Sequence, residues 1–265
     1  ALARATVAEV YNQILADLTF AEQNLPLTNA NATLNTTRAH RNTAIALKTR
    51  VLMSMRRYAD VITEANKIVS ATAPFVASTG VAHALQADYR TMFTSNYTTT
   101  ESILSMPFAS NEQPGTQNQL GYYYGPSAFN GGNGEYSLLP TGIIGDAGWL
   151  PTDRRRSFVQ VFSGKSYLTK YSVPSTFIDW APVIRYAEVL LNLAEARVRS
   201  TNTVDAQAIA LLNAVRGRSD ATTIFTPLNF ANADALANAI VNERRIEFLG
   251  EGLRGTDISR LGLPL

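Results

Sequence analysis

Cysteine is missing from all 265 residues, which removes disulfides, thiolate metal ligands and cysteine nucleophiles together. Histidine is nearly as scarce, with His40 and His83 alone, so a zinc site would have to draw carboxylates from unlinked segments. No apolar run approaches the roughly 18 residues that a membrane helix needs, and no signal peptide opens the chain. An excess of one charge is lacking too: 23 basic residues against 21 acidic leave a formal +2 without a run of like charges. That excludes the basic footprint by which a protein holds DNA or RNA. Catalytic signatures are equally thin. There is no G-x-S-x-G, and Gly164-Lys165-Ser166 resembles the end of a P-loop but has Val159 where that motif needs its first glycine.

What is present is ordinary globular composition, 46% hydrophobic and 17% charged, in a chain long enough for one large core or two smaller ones. Ala181–Ser200 reads as the organising helix. Pro182 suits a first helical turn, and Arg185, Glu188, Asn192, Glu195 and Arg199 recur at three- and four-residue steps as one narrow polar stripe. Apolar residues cover the rest of its girth, so it must sit inside other helices, its acids paired with Arg185 and Arg199. Earlier in the chain, Thr6 and Glu9 form a capping-box pattern before a helix that runs to Pro26. An Asn/Thr-rich loop (28–37) then leads to helices over 42–55 and 59–70, joined by an Arg56-Arg57-Tyr58 corner. Alanines at 44, 46, 59 and 65 allow close approach, a cadence resembling a degenerate tetratricopeptide hairpin.

The middle changes character. Residues 102–108 read as a short strand that Pro107 keeps from the centre of a sheet. From Gln113 to Gly134 there follow 22 residues with no charge, and nine of the sixteen glycines fall between Gly115 and Gly148. Tyr122, Tyr123, Tyr124, Phe129, Tyr136 and Trp149 are scattered among them. Residues 158–162 and 166–171, joined through Ser163-Gly164-Lys165, predict a β-hairpin. After Ala181 lysine disappears, and four arginines (Arg244, Arg245, Arg254, Arg260) balance Glu243, Glu247, Glu251 and Asp257. Planar guanidinium forks suit semi-buried bidentate ion pairs between helices.

Three segments together resemble the SusD/RagB family: R-Y-A-E-V-L-L-N-L-A-E-A at 185–196, L-N-A-V-R-G-R at 212–218 and N-E-R-R-I-E-F-L-G-E-G-L-R-G-T-D-I-S-R at 242–260. The N-terminal V-A-E-V-Y-N-Q-I-L-A-D-L-T-F-A-E with Leu25-Pro26, and Asp153-Arg154 before the hairpin, are similar to the family as well. The resemblance implies a mainly α fold of tetratricopeptide-like hairpins, with a long irregular loop region and small β-hairpins. It implies one domain over 1–265, comprising helices (1–75), a loop-rich insertion with short strands (76–180) and signature helices (181–265). It further implies a protein on the outer-membrane surface of Bacteroidota that captures glycan for a SusC-type TonB-dependent transporter. Such proteins hang from a lipid on an N-terminal cysteine, and the chain reads as a fragment lacking that region and the C-terminal end.

A neutral glycan offers hydroxyls and C–H faces, so its site needs aromatic platforms and amide or backbone hydrogen bonds. The uncharged loop has that composition, and the expected ligand residues are Tyr122, Tyr123, Tyr124, Tyr136 and Trp149, with Asn118, Asn130 and Asn133 as polar partners. The family fixes none of them by motif. Trp180 is expected to pack. No cofactor or metal is implied. A rival reading is a tetratricopeptide-like scaffold for protein or peptide without sugar binding. A glycosidase is the third class, but Glu188 and Glu195 are about 10 Å apart in helical rise, beyond the span of an inverting pair.

Overall fold

The computed structural model describes residues 4–94, 96–115 and 119–264. It is mainly helical with two small sheets. Helix α1 (Val7–Asn24) starts as expected: the Thr6 hydroxyl accepts the Glu9 N–H at 3.2 Å and the Glu9 carboxylate accepts the Thr6 N–H at 2.7 Å. The stretch read as loop contains a short helix, α2 (Ala32–Thr37), capped by the Asn31 side chain. Then come α3 (Arg41–Ser54), a corner turned by Arg56 at φ 56°, and α4 (Tyr58–Ala65). Helix α4 ends before its expected limit at Ser70, yet Ile68 and Val69 in the following turns remain buried.

Strand β1 (Ser102–Met106) is followed in the aromatic region by two short helices, α5 (Leu120–Tyr124) and α6 (Ser127–Asn130), and by β2 (Ser137–Leu138). Strands β3 (Val159–Phe162) and β4 (Lys165–Leu168) form the expected hairpin. Phe162 pairs with Lys165, so Ser163 and Gly164 make a two-residue loop with both φ values positive, as a primed turn requires. The short β2 adds to the other edge of β4, giving the order β2-β4-β3.

The organising segment needs correction at its start. Residues Ala181–Arg185 are strand β5, antiparallel to β1, with Pro182 opposite Ser105. A two-stranded ribbon has only edges, so proline costs no central hydrogen bond there, and β-branched Val183 and Ile184 suit the pleat. Helix α7 (Tyr186–Thr201) begins only after Arg185 and ends at Asn202 in the left-handed region. Beyond it lie α8 (Ala206–Gly217), α9 (Ala233–Glu247) and α10 (Leu253–Leu261).

Helix α7 is the centre of the core. Helices α3, α4, α8 and α9 all pack on it, and α1 packs on α3. Val189, Leu190, Leu191 and Leu193 are wholly enclosed on successive faces, as a rod that is apolar around most of its girth demands. No helix among the described residues is long and apolar enough to cross a membrane.

Candidate functional site

Beneath the site lies a cluster of buried charge. Glu247, at the end of α9, accepts from Arg155 (2.8 Å), Arg185 (2.7 Å) and Arg218 (2.5 Å). Glu101 pairs with Arg185 at 2.6 Å and also with Arg218. Glu243 joins Arg155 (2.6 Å) to Arg216 (2.9 Å), Asp153 grips Arg155 at 2.7 Å, and Glu251 takes Arg185 and Lys170, both at 2.8 Å. Five carboxylates thus meet five cations away from water, with Asp220 at the margin 3.5 Å from Arg216. Burial by itself would raise the Glu247 pKa, but Arg218, Arg185 and Arg155 outweigh it and hold the group well below the usual carboxylate range.

This cluster revises the polar stripe of α7. Arg185 sits at the strand–helix junction and turns into the cluster, so it does not pair with Glu188. Glu188 instead takes a bidentate grip from Arg50 (2.7 and 2.6 Å), and Glu195 one from Arg260 (2.8 and 2.6 Å), with Arg199 adding 2.6 Å. Glu195 and Arg199 are the one pair expected within the stripe that forms. At the Asp153-Arg154 step, Asp153 caps the Arg155 N–H and pairs with its guanidinium, while the exposed Arg154 lies 3.7 Å from Asp88.

Lys170 and Tyr171 carry the cluster's rigidity to the aromatic region. Lys170 donates to the Leu249 carbonyl at 2.9 Å, and the Tyr171 hydroxyl donates to the Gly250 carbonyl at 3.0 Å. Tyr171 stacks on Tyr124 (centroids 5.9 Å, 29°), Tyr124 meets Tyr136 at 5.9 Å, and Tyr136 meets Tyr123 at 6.0 Å. Tyr122 adds edge contacts to Tyr123 (5.3 Å) and Phe177 (5.4 Å). The four loop tyrosines expected at the site therefore form one cluster. Tyr122, Tyr123 and Tyr124 are half-buried and Tyr136 is 57% exposed.

The loop that presents them is closed by its own polar atoms. Asn130 is buried, donates to the Gly121 carbonyl (3.0 Å) and accepts from Gly132 N–H (3.1 Å). The Tyr122 carbonyl accepts from Asn133 N–H (2.8 Å), and the Tyr123 carbonyl from Tyr136 N–H (3.2 Å). Glycine is needed at 132, where a Cβ would lie 2.2 Å from the Gly125 carbonyl oxygen. Below the loop, buried Asp179 accepts the Ser172 and Val173 N–H groups, and burial pushes its carboxyl up to about 6.

The remaining expected site residues fare differently. Trp149 is only 2% exposed, packed with Ile143 and Ile246 under the Arg156 guanidinium 4.3 Å from its centroid, so it offers no ring face. Asn130 is spent on the loop, Asn133 is exposed and bonds Glu135 at 2.7 Å, and Asn118 lies outside the described residues. Trp180 packs, stacked on Tyr97 at 5.2 Å with its N–H on the Phe108 carbonyl. The histidines stack on each other at 5.2 Å inside the protein. No group of three metal-ligating side chains occurs among the described residues. Sequence reasoning missed a cavity of about 220 Å3 where α9 gives way to α10, bordered by Tyr124, Phe248, Gly250 and Arg254. Its signal was the run of arginines from 244 to 260, read there as wholly paired.

The SusD family model matches residues 156–264. SusD-like protein P2 of Formosa agariphila is 25% identical, over 99% of this chain and 58% of its own length. A SusD superfamily structure from Bacteroides fragilis superposes with a TM-score of 0.80 at 33% identity, covering 98% of this chain and 56% of that one. Surface glycan-binding protein A from Bacteroides thetaiotaomicron, in complex with laminarihexaose, gives 0.74 at 18% identity, covering 97% and 62%; at that identity the likeness is one of fold. The chain spans little more than half the length of the relatives it matches.

Proposed function

The chain belongs to the SusD/RagB family, and from that premise we propose that it is a non-enzymatic, cell-surface glycan-binding protein. In this reading it captures oligosaccharide or polysaccharide on the loop tyrosines and delivers it to a SusC-type TonB-dependent transporter in the outer membrane. A lipid outside this chain anchors it there. The observation that carries the reading is the tyrosine cluster: the Tyr136 ring lies within 6.0 Å of both Tyr123 and Tyr124 and is more than half exposed. A sugar ring stacks its C–H face on such rings, and pre-packed rings lose little conformational entropy on binding. Glu188 and Glu195, the two acids that share a helix face, are not disposed for hydrolysis. Glu188 and Glu195 are each clamped by arginine; burial would raise the Glu195 pKa, but the hydrogen bonds and charge of Arg260 outweigh it and lower it, the opposite of what a general acid needs.

Affinity electrophoresis and calorimetry across a panel of polysaccharides test this, with Tyr123→Ala and Tyr136→Ala compared against the parent chain. Binding to at least one glycan is expected, weakened about tenfold or more in the double variant, which corresponds to losing roughly 1.4 kcal/mol of stacking. A folded protein that binds no glycan, or whose binding ignores both substitutions, overturns the reading. Release of reducing ends on long incubation would instead make it an enzyme.

A further inference from the structure

We propose that the cavity beside the tyrosine cluster receives an anionic substituent of the bound glycan, a carboxylate or a sulfate ester, so that the protein selects acidic over neutral polysaccharide. This rests on the glycan-binding reading above and assigns its substrate class.

The cavity, about 220 Å3, is bounded by Tyr124 and Phe248 on its apolar side and by Arg244, Arg245 and Arg254 on its polar side, and no carboxylate lines it. The three arginines are not equivalent. Arg244 is spent, with bonds to both Asp257 oxygens (3.2 and 3.0 Å) and to Asn192 (2.6 Å). Arg245 gives one nitrogen to Asp146 at 2.9 Å, and the rest of its fork has no partner among the described residues. Arg254 makes no hydrogen bond or ion pair among the described residues. Elsewhere in the C-terminal helices arginine finds a carboxylate: Arg216 at Glu243, Arg218 at Glu247, Arg260 at Glu195. Burial lowers the Arg254 pKa and the Arg245 charge lowers it further, partly offset by Asp257 and Asp146. An anion placed between the two guanidiniums relieves that repulsion and fits the arginine fork.

Position links this cavity to the tyrosines. Gly250 lies at φ 77°, and a Cβ there would come within 2.4 Å of Leu168 and 3.6 Å of the Tyr124 Cζ. The Tyr124 phenol lies along the cavity wall beside Gly250, and the same ring contacts Tyr136. A sugar stacked on the exposed ring stands beside a basic recess. The volume is below the roughly 300–1,000 Å3 of drug-sized sites, so it admits a charged substituent and not a length of chain.

The test is calorimetry at low salt with matched polymers: polygalacturonate against its methyl ester, carrageenan against its desulfated form, and laminarin as a neutral glucan. Parent protein is compared with Arg254→Gln, Arg254→Lys, Tyr136→Ala and Arg38→Gln, the last removing an exposed charge outside the cavity. The expected result is at least tenfold tighter binding of one acidic polymer than of its neutralised partner. R254Q abolishes that preference, while R254K and R38Q retain it, with thermal melts of R254K and R254Q alike. Which polymer responds distinguishes carboxylate from sulfate. Equal binding of acidic and neutralised forms, or an acidic preference that survives R254Q, overturns the inference. If laminarin binds as tightly as the acidic polymers and only Y136A weakens binding, the platform stands and the anionic recess falls; if nothing in the panel binds, both fall.

Discussion

Lys170 belongs to the ion cluster and Tyr171 to the tyrosine cluster, so two regions built on different forces meet at one peptide bond. Around Glu247, charges are taken wholly out of water, and each must find partners at 2.5–2.9 Å or pay for its lost hydration. Around Tyr124, rings meet at 5.3–6.0 Å, and any one can stay half exposed at little cost. The first arrangement tolerates one geometry and therefore fixes β1, β5, α8 and α9 against each other. The second leaves surface available, which is what a ligand can use. Rigidity and recognition are thus assigned to neighbouring residues and coupled through the Tyr171 hydroxyl on Gly250.

The strongest way to break this contrast is to remove one charge from the cluster. Glu247→Ala leaves Arg155, Arg185 and Arg218 facing one another in the interior. Losing one partner of a buried pair costs about 3–5 kcal/mol, so the melting temperature should fall by roughly 6–20 °C in a chain of this size. A melt by circular dichroism within about 2 °C of the parent would mean that the cluster is not the fastening described here.

Acid is the next probe, because a buried histidine of the core and the buried aspartate beneath the tyrosines titrate with opposite sign. Burial, and then the charge of His40, push the His83 pKa down to about 4. The unfolded chain holds a proton there from pH 6.5 downward, so stability present above 6.5 is lost as pH falls toward 4, about 2 kcal/mol of it by pH 5. Asp179, raised by burial to about 6, works the other way: folded protein binds its proton first, gaining about 1.4 kcal/mol between pH 7 and 5. In the parent chain the Asp179 gain offsets part of the histidine loss, to which His40, also lowered by burial, adds. Asp179→Asn should therefore unmask the histidine loss, and denaturant midpoints at pH 7 and 5 should diverge by about 2 kcal/mol. No added acid sensitivity in D179N would refute the assignment of these shifts.

The same contrast explains what the sequence made legible. Thr6 and Glu9 are three residues apart and answer to each other alone, so the start of α1 could be read directly. The residue types of the ion cluster were equally visible, since arginine without lysine signals buried forks. Its pairing was not: Arg185 meets Glu101 across 84 positions and Arg155 meets Glu243 across 88. Pro182 misled for the same reason, because a proline that opens a helix and one on a ribbon edge differ only in whether a strand such as β1 lies opposite. Among the aromatics, composition located the tyrosines but could not separate Tyr136 from Trp149; what encloses Trp149 is Ile246, almost 100 residues further on. The unpaired state of Arg254 is a property of distance alone, and no pattern of residues encodes it.

Within the aromatic region, Asn130 is a graded probe of how far the loop's own hydrogen bonds matter. Asn130→Ala removes the bonds to Gly121 and Gly132, worth about 1 kcal/mol each, while the core stays intact. Global melting should shift by no more than a few degrees, whereas amide exchange at Gly132 and Tyr136 should quicken. Unchanged exchange there would show that the tyrosine contacts alone hold the loop.

Tyr136→Ala should be the mildest change to the fold and the most informative about its use. The ring is 57% exposed, and its ring contacts among the described residues are Tyr123 and Tyr124. Truncating it forfeits little buried area, and surface substitutions of this kind lie within about 0.5 kcal/mol of neutral. A residue so cheap to lose, held by neighbours so well packed, is explained by a ligand more readily than by stability. Equal unfolding midpoints with weakened glycan binding would assign Tyr136 to recognition. A melt lowered as far as that of Glu247→Ala would return the ring to the core and erase the division between the two regions.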